Sequence, residues 1–283
     1  MILFPMSEAH VHSSFYRFVA LAEPERIAQR LREISTRLGG NILVASEGIS
    51  AAIAGLPQDL ADFEQALQHD EVFGGAFEGM WFKHSACATR PFTLIKVHTK
   101  PEIVAFGVPG VSGLPDPAKA NTHVPPEQWR ELIQQPDVVL LDNRNSFEFR
   151  LGRFKGAVDP QVAHFRDFPA YVEAHADEWK SQGKKVAMYC TGGIRCEKTS
   201  AWMQDQGLEV YQLDGGIVSY FEAMQARGED AAADWDGELF VFDKRIAIDT
   251  QLQETATTAE QVYAGLPDEA WRLARAKRLD PAG

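Results

Sequence analysis

Hydrophobic positions along the first third of the chain switch between two periods. Ser14-Phe15-Tyr16-Arg17-Phe18-Val19-Ala20-Leu21 is a strand-like run. Pro24 then suits a first helical turn, and Ile27, Leu31, Ile34 and Leu38 recur at helical spacing, which predicts a helix over 24–38. Gly39-Gly40 is expected to stop it. Asn41-Ile42-Leu43-Val44-Ala45 and Ser50-Ala51-Ala52-Ile53-Ala54 read as strands joined by a turn at Ser46-Glu47-Gly48. Leu60, Phe63 and Leu67 share one face of a second helix over 57–69, and 81–88 and 92–98 supply further strand. Strand–helix–strand–strand–helix–strand is the split βαβ, or ferredoxin-like, plan, assigned here to residues 1–107.

The pattern changes after that. Gly107, Pro109, Gly110, Gly113, Pro115 and Pro117 punctuate a linker at 108–123. A second domain over 124–228 opens with a helix start at Val124-Pro125-Pro126-Glu127-Gln128-Trp129. Asp137-Val138-Val139-Leu140-Leu141-Asp142 is nearly uninterrupted in its apolar character, as expected of a parallel strand covered on both faces. A helix with Phe165, Phe168, Tyr171 and Val172, a strand at 186–189, a strand at 209–213 and a closing helix with Tyr220 and Phe221 follow. This alternation makes the domain α/β with a parallel sheet. Residues 229–283 form a short C-terminal extension.

The strand at 186–189 ends in Cys190-Thr191-Gly192-Gly193-Ile194-Arg195-Cys196, which runs into a helix. Free amides and the dipole at a helix N-terminus stabilise an anion. Such surroundings favour thiolate, the reactive form of cysteine. Gly192 and Gly193 let the backbone aim several N–H groups at one point, and Arg195 adds a fixed cation. Open parallel sheets place their sites at strand carboxyl ends, where this loop lies. Cys190 is therefore the expected nucleophile, with Thr191, Gly192, Gly193 and Ile194 as its loop. Arg195 either supports negative charge there or only braces the helix through a salt bridge. Cys196 is a resolving thiol or an inward-packed helix residue. Asp142 and Arg144, at a strand end, are substrate contacts or a structural ion pair.

Composition adds limits. The net charge of −12 argues against general nucleic-acid binding by phosphate neutralisation and leaves room for a local basic patch. Three cysteines do not make a disulfide framework. Residues 1–15 lack a basic segment followed by a long apolar run, and no stretch approaches the roughly 20 apolar residues that span a bilayer. No membrane association and a cytoplasmic location are expected. His10 and His12 are read as surface histidines rather than a metal pair. There is no Gly-x-Gly-x-x-Gly fingerprint and no evident two-His-one-carboxylate set, so no metal or nucleotide cofactor is identifiable.

The second domain resembles a rhodanese domain. Asp142-Asn143-Arg144, Glu148-Phe149 and Gly152-Arg153-Phe154-Lys155-Gly156-Ala157 are similar to that family's Asp-x-Arg…Glu-Tyr…Gly-His-Ile-x-Gly-Ala signature, with Phe149 for Tyr and Arg153-Phe154 for His-Ile. Cys190-x-x-Gly-x-Arg195 matches its active-site loop. The resemblance implies a cysteine persulfide cradled by loop amides. The related dual-specificity phosphatases have a loop one residue longer, sized for phosphate, so the short loop favours sulfur chemistry.

A wider resemblance covers nearly the whole chain. Met188-Tyr189-Cys190-Thr191-Gly192-Gly193-Ile194-Arg195-Cys196-Glu197-Lys198, with Glu47-Gly48-Ile49, Arg90-Pro91-Phe92, Phe165-Arg166-Asp167-Phe168-Pro169 and Gly237-Glu238-Leu239-Phe240-Val241-Phe242-Asp243, resembles the bacterial tRNA uridine-34 hydroxylases. It implies formation of 5-hydroxyuridine at the wobble position, with molecular oxygen as co-substrate and the tRNA anticodon loop as partner. Two departures stand out. Ser50-Ala51-Ala52 replaces a common Asn-Gly-Thr, and the tail from Asp249 lacks the cysteines that ligate zinc in many members, so no structural zinc is expected. The tail reads instead as helical around Val262-Tyr263 and Trp271-Arg272. Lys83, Arg90, Lys96 and Lys100 are the expected tRNA contacts, with Trp81, Phe82 and Phe92 as stacking surfaces. A solvated face with buried aromatics remains the other reading. Two further functions compete: a sulfurtransferase passing persulfide sulfur to a thiol or other acceptor, and a non-enzymatic scaffold. The added N-terminal domain weighs against the first, and the intact Cys190 and Arg195 weigh against the second.

Overall fold

Alternating burial along the early strands leaves one sheet face for two helices to cover. The computed structural model describes residues 10–263 and 270–279. The expectations about a leader and about the last tail residues fall partly outside them. The chain divides into two units, Met1–Ile103 and Val104–Gly283.

In the first unit the order is β1 (His10–Phe18), α1 (Pro24–Ile34), β2 (Gly39–Ala45), β3 (Gly48–Gly55), α2 (Pro57–His69), β4 (Lys83–Cys87) and β5 (Ile95–Thr99). The sheet runs β4-β1-β3-β2-β5. Its first four strands are antiparallel neighbours, as the ferredoxin-like plan requires, and β5 adds a fifth strand parallel to β2. Phe15, Ile42, Val44, Ile49, Ala51, Ile53 and Val97 pack against Ile27, Ala28 and Leu31 of α1 and Leu60, Phe63 and Leu67 of α2. Gly39-Gly40 does not cap α1. The helix ends at Ile34, and both glycines already belong to β2. Gly40 has a φ of 133°, and a Cβ there would lie 2.2 Å from the carbonyl oxygen of Ala52, so glycine allows close strand pairing rather than helix termination.

In the second unit β6 (His123–Val124), α3 (Pro126–Ile133), β7 (Val138–Asp142), α4 (Ser146–Leu151), β8 (Gly152–Phe154), α5 (Phe168–Ser181), β9 (Lys185–Tyr189), α6 (Ile194–Asp205), β10 (Val210–Leu213) and α7 (Gly216–Arg227) follow in turn. The sheet order is β6-β10-β9-β7, parallel throughout. Alternate residues of β9 serve opposite cores: Val186 and Met188 pack with α5 and α6, Ala187 and Tyr189 with α3 and α7. The unit begins before the expected linker ends. Phe106 is buried among Phe165 and Trp202, with Val104, Val108 and Val111 packed alongside.

The extension belongs to the same body. β11 (Trp235–Gly237) pairs with β8, β12 (Leu239–Phe240) with β13 (Ala247–Ile248), and α8 (Ala259–Tyr263) and α9 (Ala270–Leu279) follow. Phe154 makes edge contacts with Tyr189, Tyr220 and Trp235. Phe147 meets Phe240 and Tyr263, and the Arg272 guanidinium lies over its ring. No helix among the described residues is long and apolar enough to cross a membrane.

Candidate functional site

Cys190 follows β9 directly, at the carboxyl end of a central parallel strand. Its side chain is fully buried. The loop turns back on itself: Gly193 N–H donates to the Cys190 sulfur at 3.1 Å, with Gly193 at a φ of 99°. That left-handed conformation needs glycine. Thr191, Gly192 and Ile194 are half-exposed around this buried sulfur.

The first turn of α7 closes the loop from below. Ile217 N–H donates to the Cys190 carbonyl at 3.0 Å, and Val218 N–H to that of Thr191 at 3.2 Å. Gly216, at a φ of 72°, has no room for a side chain. A Cβ there would come within 2.5 Å of the Cys190 oxygen, 2.8 Å of the Gly193 nitrogen and 2.8 Å of the Thr191 oxygen.

Arg195 makes a salt bridge beside the reactive loop. Its guanidinium grips the Glu148 carboxylate with two hydrogen bonds, at 2.8 and 2.9 Å, and reaches the Thr191 hydroxyl at 3.3 Å. Glu148 is fully buried on α4, where it also accepts from the Asn145 N–H at 3.1 Å. Burial opposes the Glu148 charge, but Arg195 outweighs it and holds the carboxyl below its ordinary range. Burial likewise pushes the Cys190 thiol up. A hydrogen bond from Cys196, the Arg195 charge and the amides of Cys196 and Arg195 outweigh it, leaving Cys190 well below the usual thiol range. Cys196 goes the opposite way, held well above that range by burial and by the charge it serves. A buried thiolate in an amide cradle can attack an electrophilic carbon or carry a sulfane sulfur.

Asp142 and Arg144 form an ion pair with both side chains fully buried: the guanidinium donates to the two carboxylate oxygens at 2.9 and 2.6 Å and to the Gly152 carbonyl at 2.7 Å. It stacks over Tyr189 and Trp235. The pair is thus buried whole at the end of β7. The third cysteine, Cys87, is buried on β4 of the first unit.

The expected RNA contacts lie on the first unit. Lys96 and His98 are exposed on β5, and Lys100 just beyond it, on the face that the helices do not cover. Arg90 is exposed in the segment between β4 and β5. Lys83 is on the opposite edge strand, mostly buried, with its ammonium over the Trp81 ring. Strand register still links the two edges: Lys83 pairs with Ser14, Ser14 with Ala52, Ala52 with Asn41 and Asn41 with Lys96. Directly paired residues share a face, so these five make one row, about 19 Å from end to end at the usual strand spacing. Trp81 is exposed, whereas Phe92 is buried and stacks on His12.

Glu148 is the acidic residue of the signature quoted above and stands three after Asn145 in a capping pattern. Asn143, Thr199 and Gly216 also lie at the site, and motif reading assigns them no role.

Residues 10–103 match the model of the UPF0176 acylphosphatase-like domain, and residues 125–223 that of the rhodanese-like domain. Relatives span both. A tRNA uridine(34) hydroxylase of Synechococcus elongatus is 46% identical over 85% of this chain and 86% of its own length. Those of Jannaschia sp. (41%, over 87% and 78%) and Legionella pneumophila strain Corby (38%, over 91% and 94%) are similar too.

Proposed function

We propose that this chain, which belongs to the tRNA uridine(34) hydroxylase family, converts uridine 34 of tRNA to 5-hydroxyuridine in the cytoplasm. Molecular oxygen is the co-substrate and Cys190 the working sulfur. The observation that carries this reading is the buried Cys190, its sulfur receiving the Gly193 amide at the head of α6, in a chain similar to these hydroxylases along both units. A wobble base lies in a single-stranded loop, so little unpairing is needed to present it. A sulfurtransferase that carries persulfide needs only the second unit, whereas the similarity extends through the first. Mass spectrometry of tRNA nucleosides from cells with and without the gene tests the assignment. Loss of 5-hydroxyuridine and its derivatives supports it, and unchanged levels reject it.

The uncovered sheet face of the first unit is the surface on which tRNA rests. Its exposed cations, Lys96 and Lys100 above all, answer the phosphates on a chain whose net charge repels RNA. Lys96→Glu with Lys100→Glu is expected to weaken tRNA binding and to flatten its salt dependence by about one unit of slope for each phosphate left without its cation. The checking measurement is tRNA affinity across a salt series. Persulfide loading of Cys190 from thiosulfate stays at its wild-type level, since it involves only the second unit. Identical affinities and slopes move the RNA surface elsewhere.

A further inference from the structure

Trp271 is a large exposed aromatic on α9, in a tail to which no motif assigns a role. The helix is docked on the second unit by the residues that follow. Leu273 packs on the cluster of Phe147, Phe240, Val262 and Tyr263, and the Arg272 guanidinium lies over the Phe147 ring. Trp271, Ala274 and Arg275, at i, i+3 and i+4, share another face of the helix and are exposed, Trp271 by 44%.

The exposed ring is nonetheless held. The same Arg272 guanidinium stands 4.6 Å from its centre, and is itself fixed by a 2.6 Å hydrogen bond from Nη2 to the Ala163 carbonyl. The His164 ring lies 5.9 Å away, tilted by 32°. An aromatic surface that is open to solvent, fixed in orientation and backed by a cation suits stacking on an unpaired base. Every base offers a π face, and little side-chain freedom is left to lose on binding.

Its place in the fold points the same way. Ser146 N–H donates to the Val162 carbonyl at 2.9 Å, so the 162–164 segment that meets Arg272 and Trp271 runs beside the start of α4. α4 follows the end of β7, where Asp142 pairs with Tyr189, the residue before Cys190. Trp271 therefore stands at the carboxyl end of the parallel sheet, the end that carries the reactive loop. Charge complements the ring. The sequence of α9 holds Arg272, Arg275, Lys277 and Arg278 and no acid, on a chain whose net charge is −12.

We propose that Trp271 is a base-stacking site whose occupant is an unpaired base of the tRNA anticodon loop beside uridine 34. This rests on the tRNA reading above. Proteins commonly hold the splayed bases of single-stranded loops on aromatic side chains. A neighbouring base held on Trp271 brings the wobble uridine to the end of the sheet where Cys190 lies.

The test is the affinity of the full-length chain for an anticodon stem-loop RNA and for a blunt duplex of the same stem, at one salt concentration. Trp271→Leu keeps an apolar side chain and loses the π face, whereas Trp271→Phe keeps a ring. Trp271→Leu should weaken stem-loop binding about tenfold, the scale usual for one stacked base, and Trp271→Phe should stay within about threefold of wild type. Neither should alter binding of the duplex, which offers no unpaired base. Persulfide loading of Cys190 from thiosulfate should remain at its wild-type level and reports that the second unit is intact; Trp271→Ala stands in if the leucine variant does not fold. Wild-type stem-loop affinity in Trp271→Leu, or in Trp271→Ala as its replacement, overturns the proposal. So do equal losses in the leucine and phenylalanine variants, or a loss shared by the duplex. Wild-type protein that does not bind the stem-loop at all rejects the tRNA reading and this site with it, whereas binding that ignores Trp271 rejects this site alone.

Discussion

Cys190→Ser is expected to fold normally and to leave tRNA without 5-hydroxyuridine. The change nearly preserves side-chain volume at a fully buried position, so the loop and its amide bonds have little reason to move. It replaces a polarisable, readily ionised sulfur by a hydroxyl whose proton is far harder to remove. Complementation of a strain lacking the gene, read by nucleoside mass spectrometry, measures the outcome. Wild-type 5-hydroxyuridine from the serine variant would discard Cys190 as the working group. The wild-type enzyme carries a related expectation in its pH dependence. A thiol held below its ordinary range is charged above its folded pKa and loses that charge as pH falls through it. Turnover governed by this group is therefore already level through the ordinary thiol range near 8.5 and declines only at lower pH. A rise in turnover that follows the ordinary thiol pKa would mean that the cradle does not hold the thiolate.

Arg195→Ala is expected to destabilise the second unit by about 3–5 kcal/mol, because it strands the Glu148 carboxylate in a fully buried position. At the scale usual for a unit of this size, the melting temperature falls by roughly 10 °C. Glu148→Gln combined with Arg195→Ala should recover part of that loss, since no buried charge is then left alone. The pair would be more stable than Arg195→Ala by itself yet still inactive. Thermal denaturation of both variants decides the matter. A melting temperature within a degree or two of wild type in Arg195→Ala would show that the ion pair does not brace the loop.

Much of this was legible in the sequence where the signal is local. The Cys190 loop is contiguous, and glycines, arginine and helix start lie within a few residues of the sulfur. The parallel sheet announces itself through uninterrupted apolar runs such as 138–141. What escapes is contact between distant segments. Glu148 is 47 residues from the arginine it holds, and a buried glutamate looks like any other until the fold closes. Gly39-Gly40 resembles a helix stop because the same residue type serves both a helix end and close strand pairing. The lysines illustrate a subtler gap. Alternation along β5 correctly puts Lys96 and His98 on one face, but only the sheet order reveals that Lys83 stands on the far edge in the same row. The stretch at 107–117 reads as a linker by its glycines and prolines, while the valines and Phe106 that anchor its beginning are too sparse for a periodic signal.

Gly216 bears on how large such a loop can grow. The reactive loop is bounded from outside by the first turn of another helix, at distances that leave no space for even a methyl group. A bulkier loop would press on α7, where Gly216 already leaves no room for a Cβ beside the backbone of Cys190, Thr191 and Gly193. The size of the cradle is thus set in part by a residue that lies outside it.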